Sequence, residues 1–378
     1  MATLCNFYPM KSTKGADATP PNTYNHPFTS LFSHPRKIYR DVVQRISFTR
    51  CFSKEWVCGI LLVMALACLF LPNVLWAQQK LYDDLFSVSF PTELEGWASG
   101  RWGTVLHTPD GGLTWRPQNS GTNFTLSSIL FVDPHQGWAV GDEGTIIHTS
   151  DGGKTWGKQE SPVPFFLMDL YFDTPLKGWI VTEQTHILYT DDGGKTWSIQ
   201  FRDQDFILKA VSFCDSLHGW AVGEYGYIYH TRDGGSTWEK QAGHFDVSES
   251  SGEVEGGTFL FDVAAIDPHT AWAVGIDGYV IKTEDGGEGW EEVQTGASQT
   301  QLFCITTDRA GTILIGGNGV FLSSSDGGQS WQAPVFKPPV TYGWIYGVTP
   351  RPSSGFVGVG WDGAIYLNTS NNWHRVNY

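Results

Sequence analysis

One nonapeptide governs what this chain can fold into. HTPDGGLTW at 107–115 returns as HTSDGGKTW (148–156), YTDDGGKTW (189–197), HTRDGGSTW (230–238), KTEDGGEGW (282–290) and SSSDGGQSW (323–331), and LNTSNNW closes the series at Trp373. The closing tryptophans stand at 115, 156, 197, 238, 290, 331 and 373, spaced by 41, 41, 41, 52, 41 and 42 residues. A fixed period of this size means one supersecondary unit stacked on copies of itself, because a lone unit cannot bury its own apolar face. A second series keeps the same phase: Trp97, Trp138, Trp179 and Trp220 at intervals of 41, Trp272 after 52, and Ile313 in the place due after another 41.

Within a unit the pattern is that of short strands. In the second repeat it predicts strands at Leu126–Val132, Gly137–Gly141, Gly144–Thr149 and Thr155–Gln159. The alternation in Thr145-Ile146-Ile147-His148 has the period of a strand, and no segment after residue 80 holds a helical pattern. Seven such units over residues 81–378 predict an all-β fold, a seven-bladed β-propeller of four-stranded blades. The 44 glycines and 17 tryptophans fit tight turns and flat packed faces.

Turn chemistry explains why the nonapeptide recurs. Asp110, Asp151, Asp192, Asp233, Asp285 and Asp326 can each accept backbone N–H bonds from the turn that follows, and at least one glycine after each supplies the positive φ. The tryptophan then folds back on the neighbouring blade, burying roughly 150–250 Å². That burial is worth about 4–6 kcal/mol before conformational entropy is subtracted. An acid repeated in every blade holds blades together, so these six are read as structural turn residues and not as catalytic acids.

The ends of the chain differ in charge. Residues 1–80 hold nine Lys/Arg against three Asp/Glu, and residues 81–378 hold 15 against 36. A domain that acidic does not track a phosphate backbone, which excludes nucleic acid as a partner. Trp56–Leu71 is almost unbroken apolar sequence, preceded by Arg50 and Lys54 and followed by a small residue at Ala77. This predicts a hydrophobic signal peptide or anchor over 56–77, behind a disordered leader at 1–55. The leader is either the product of a translation start placed too early or a second targeting element; the first is favoured. Both place the propeller across a membrane, periplasmic or extracellular, with the thylakoid lumen as the alternative.

No disulfide, metal or cofactor is expected. Cys214 and Cys304 belong to non-adjacent repeats, and no Cys/His spacing resembles a zinc site. His107, His148 and His230 share one repeat position, but ring geometry sets equivalent residues more than ~10 Å apart, too far for a shared ion.

The box Ser/Thr-x-Asp-x-Gly-x-Thr-Trp resembles the Asp-box of bacterial neuraminidase-type repeats. GWAVGDEGTIIHTSDGGKTW (137–156) and GWAVGEYGYIYHTRDGGSTW (219–238) are similar to the repeat of the photosystem II stability/assembly factor family. The resemblance runs from residue 85 to about 331, and weakly through the last repeat. It implies a seven-bladed propeller exported to the thylakoid lumen or periplasm, with a protein or membrane complex as its partner.

Strand alternation puts the Asp boxes on one face of the ring. The opposite face carries the second-to-third turns Arg101-Trp102, Asp142-Glu143, Glu183-Gln184, Glu224-Tyr225, Ile276-Asp277, Gly317-Asn318 and Trp361-Asp362. Ring closure makes blades 7 and 1 neighbours, so Trp102 and Trp361 are expected side by side, with Tyr342 from the preceding linker. Arg101, Trp102, Tyr225, Tyr342 and Trp361 are the predicted partner-binding residues. The insertion at 243–257 reads as an acidic loop on this same face. The expected function is a monomeric, non-enzymatic exported scaffold that binds a protein or membrane complex. The alternative is a glycoside hydrolase or sialidase-like enzyme using acids among these turns, although turns of about two residues build no substrate cleft.

Overall fold

The computed structural model describes residues 83–248, 254–337, 343–353, 355–369 and 372–376. The leader, the hydrophobic segment 56–77 and Tyr342 lie outside the described residues. Thirty strands form seven antiparallel meanders and one small hairpin. Blade 2 runs Leu126–Phe131, Gly137–Gly141, Ile146–Thr149 and Gly157–Gln159 in chain order. The first two strands fall within one residue of expectation, while the third and fourth begin two residues later. Gly144 turns with φ 65°, and the Thr155 N–H is taken by Asp151.

Each second strand is buried along its whole length, because neighbouring blades cover both of its sides. That double burial makes Gly-Trp-Ala-Val-Gly read as unbroken apolar sequence instead of alternating. Buried residues gather in seven clusters, one at each interface between blades. The ring closes by packing Leu85, Val88, Leu106 and Trp115 of blade 1 against Val357, Val359, Ile365 and Leu367 of blade 7.

The three interfaces among blades 1–4 share one aromatic joint. Trp97 of blade 1 stacks on Phe131 of blade 2 at 3.7 Å between ring centroids, and the box tryptophan Trp156 meets that phenylalanine edge-on at 5.8 Å. Trp138, Phe172 and Trp197 repeat the arrangement at 3.8 and 5.9 Å, and Trp179, Phe213 and Trp238 at 4.1 and 5.8 Å. The phenylalanine lies over a glycine opposite it in the second strand: a Cβ on Gly137 would stand 2.5 Å from the Phe131 ring. An aromatic ring laid over a strand glycine recovers the packing that the glycine lacks.

Ile313 does not take the tryptophan position in blade 6. Leu314 does, since it pairs with Thr306 and Ser323 as Trp138 pairs with Leu130 and His148. The one-residue offset arises in the second-to-third turn, which is one residue shorter in blade 6: Gly316 pairs with Phe321, whereas Val274 pairs with Val280 in blade 5.

Outer strands fade late in the ring. The fourth strand of blade 5 is only Glu291–Glu292, and that of blade 6 is a single bridge between Ser323 and Gln332. Blade 7 gains a fifth strand, Phe336–Lys337, parallel to Asn372–Arg375.

Candidate functional site

On the box face the six aspartates knit their own turns. In blade 2 the Thr149 hydroxyl donates to Asp151 Oδ1 at 2.8 Å and accepts from the Gly153 N–H. The Thr155 N–H and hydroxyl donate to the two oxygens of Asp151 at 2.9 and 2.7 Å. The same bonds surround Asp110, Asp192, Asp233 and Asp326. Asp285 has one fewer, because Gly289 stands where the others have Thr or Ser. Both glycines of each box have positive φ, 73° and 76° in blade 2. N–H and hydroxyl donors from Thr155 hold the Asp151 carboxyl down to about 2, and Asp192 likewise through Thr196. Acids so satisfied are permanent anions inside turns, unsuited to proton transfer.

The histidines that share a repeat position are ring-stacked on the second-strand tryptophans. Centroid distances are 4.7 Å for His107 on Trp97, 4.7 Å for His148 on Trp138 and 4.2 Å for His230 on Trp220. Burial pushes the His230 imidazole down to about 4. Among the described residues no group of three or more His, Cys, Asp or Glu could hold a metal ion.

Five of the seven turns on the opposite face are tight turns whose two central residues both have positive φ, the type I′ geometry that suits twisted hairpins. They are Trp102-Gly103 (56°, 72°), Glu143-Gly144 (53°, 65°), Tyr225-Gly226 (55°, 69°), Asp277-Gly278 (58°, 79°) and Asp362-Gly363 (55°, 63°). Asp and Asn tolerate the first of these positions, whereas a bulky side chain there costs about 1–2 kcal/mol. Blades 1 and 4 nevertheless carry Trp102 and Tyr225.

The two exceptions differ in surroundings. Tyr225 is half-buried against Phe206, Phe245 and Phe259, at centroid distances of 5.2, 4.6 and 5.1 Å. Phe245 belongs to the insertion, whose ends form a hairpin, Phe245–Val247 with Val254–Gly256, so Tyr225 anchors that hairpin. It stands in blade 4, apart from the blade 7 and blade 1 turns. Trp102, by contrast, is 68% exposed and Trp361 52% exposed. One buried carboxylate joins their turns across the seam: Asp84 pairs with Arg101 Nε at 3.0 Å and accepts the Asp362 N–H at 3.0 Å. Arg101 is thus engaged at its base by Asp84.

Two acids of the enzymatic alternative are occupied by backbone. Glu183 accepts the Phe166 N–H and Glu224 the Ile207 N–H, each at 3.1 Å, fixing the segments that enter the first strands of their own blades.

Sequence reasoning missed two groups. Asp84 carries no repeat signature, and its role exists only once the ring has closed. The second group was legible: Gln118, Gln159, Gln200 and Gln241 stand 41 apart. Gln118, Gln159 and Gln241 donate to a box glycine carbonyl of the next blade, at 3.0, 3.0 and 2.6 Å. Gln159 also accepts the Trp197 indole N–H at 3.2 Å, and Gln241 that of Trp220 at 3.1 Å.

Solved structures share this architecture. One described as YCF48 bound to D1 peptide is 20% identical, covers 77% of this chain and 93% of its own, and superposes with a TM-score of 0.63. YCF48 from Cyanidioschyzon merolae is 19% identical over 76% of this chain and 95% of its own, with a TM-score of 0.62. A GH74 xyloglucanase from Xanthomonas campestris is 12% identical over 78% of this chain and 54% of its own, with a TM-score of 0.64. At these identities the likeness is one of fold. No curated protein matches the sequence. The family described as photosynthesis system II assembly factor YCF48 matches residues 72–161, 159–243 and 245–374, and these matches span most of the propeller. The chain therefore belongs to the photosynthesis system II assembly factor YCF48 family.

Proposed function

We propose that this chain is a non-enzymatic exported scaffold that binds a protein segment of a membrane complex, a photosystem subunit by likeness to its family, on the turn face across the seam of blades 7 and 1. The reading rests chiefly on Trp102. Its backbone is held at φ 56° while its indole is 68% exposed. Tyr225 offsets the same strain by packing; Trp102 has an exposed indole and so recovers far less from the fold. Backbone strain kept at an exposed aromatic points to a use outside the fold. Trp361, Arg101 and the Asp84 bridge give that indole a rigid setting. The turns of the two neighbouring blades hold Asp142, Glu143 and Asp362, so a partner segment with basic and apolar side chains is complementary. Family membership and the D1 peptide of the solved relative support a protein partner.

The test is capture from the host's own membranes by the full chain and by a Trp102→Ala/Trp361→Ala variant. Capture should fall by about tenfold or more, as for paired aromatic anchors. Trp102→Asn alone should raise the unfolding free energy by about 1 kcal/mol while weakening capture, since Asn suits the left-handed position. Undiminished capture by the double variant would remove this face as the binding site.

A further inference from the structure

The seven innermost strands enclose a channel whose wall is chemically divided. Each first strand carries a bulge directly after its leading Leu or Ile, next to the turn face. The bulged residues line a cavity of about 190 Å³. Four of them, Phe261, Phe303, Tyr346 and Phe86 from blades 5, 6, 7 and 1, form an arc with successive ring centroids 5.5, 5.4 and 5.2 Å apart.

Asp169 and Asp262 line the same cavity. Asp169 accepts the Ser128 hydroxyl at 2.7 Å and the Val211 N–H at 3.1 Å. Asp262 accepts the Val263 and Ile305 N–H groups, both at 2.8 Å. Each carboxylate thus ties its own blade to the next, and each stays half-buried, with part of its surface open to the channel. Burial, and then the charge of Asp169, push the Asp262 carboxyl up to about 8; burial raises Asp169 as well. The other titratable groups of the wall are Lys209, Cys304 and Tyr346. Lys209 is itself engaged, and burial raises both the Cys304 thiol and the Tyr346 hydroxyl.

Acids that resist ionisation gain from a cation placed beside them, and aromatic rings attract a weakly hydrated cation through their quadrupole. An anion would gain from neither. We infer that this end of the channel takes one organic cation, the head of a lysine or arginine side chain carried by the partner segment. The inference deepens the scaffold reading and rests on it for the partner's identity, but the pocket is testable without a partner. Cation entry favours ionised Asp262, so binding at pH 7 should release protons.

The probe is n-butylammonium, titrated calorimetrically into the full chain in buffers of differing ionisation enthalpy. The controls are 1-butanol and butyrate. Butylammonium should bind about tenfold or more tighter than either control, with proton release at pH 7. Asp262→Asn should weaken it about tenfold. Phe303→Leu, which keeps an apolar side chain and leaves the unfolding temperature nearly unchanged, should weaken it about threefold. Absence of saturable butylammonium binding, equal binding of butanol or butyrate, or full affinity in both variants would overturn the inference. Failure here leaves capture through Trp102 and Trp361 standing. Loss of the turn-face reading leaves amine binding measurable by itself.

Discussion

Blades 1–4 and blades 5–7 close the same ring by different means. In the first group a phenylalanine lies between two tryptophans at each interface, over a glycine, and a glutamine reaches the next box. In blades 6 and 7 the large partner moves to the second strand, Ile313 facing Thr307 and Phe356 facing Pro350, while in blade 5 both partners are small, Ala265 facing Ala271. Val293 stands where Gln159 stands in blade 2, bonding to Val280 through backbone alone. The indole N–H groups of Trp290 and Trp331 are buried without a partner, as are those of Trp97 and Trp156 in blades 1 and 2, so unpaired indoles occur in both groups. The difference teaches that the ring stays closed with several kinds of inner-strand pair, while outer stitching can be shed.

Removing a joint should therefore cost most in the first group. Phe172→Ala opens a cavity between Trp138 and Trp197 and should lower the unfolding free energy by about 3–5 kcal/mol, whereas Thr307→Ala should cost below about 1 kcal/mol. Comparable losses in chemical denaturation would break the comparison. Next comes the glutamine. Gln159→Leu strands the Trp197 N–H and leaves the Gly193 carbonyl only its 3.3 Å bond from the Trp138 indole, for a loss of about 1–3 kcal/mol. The reciprocal Val293→Gln gives the Trp331 N–H an acceptor and should raise stability by about 0.5–1.5 kcal/mol, read from the same curves. The smallest effect belongs to Gly289→Thr. A Cβ there meets Asp285 at an ordinary 3.4 Å, so the added hydroxyl can complete the fifth box and gain about 0.5 kcal/mol.

The period of 41 exposed the blade count, the strand order and the box turns because each repeats a local rule. Blade 6 lacks its tryptophan, and there the reading slipped by one residue. What did not repeat was invisible. Asp84 reaches the Asp362 N–H across 278 residues of chain, and nothing local separates Tyr225 from Trp102 by revealing Phe206, Phe245 and Phe259 around it. The glutamine series was periodic, yet its polar side chain in an outer strand resembled ordinary surface. The aromatic arc depended on a bulge, and a bulge shifts alternate side chains to the other side without marking the sequence.

Site-specific photo-crosslinking in the host addresses the scaffold most directly. A photoreactive phenylalanine analogue would replace Trp102, Tyr225 or Leu176 in turn, the last being exposed on the box face. Position 102 should attach covalently to a membrane-complex protein, with little or no product from 225 and 176. Product from 176 alone, with none from 102, would place the partner on the wrong face of the ring and contradict the account.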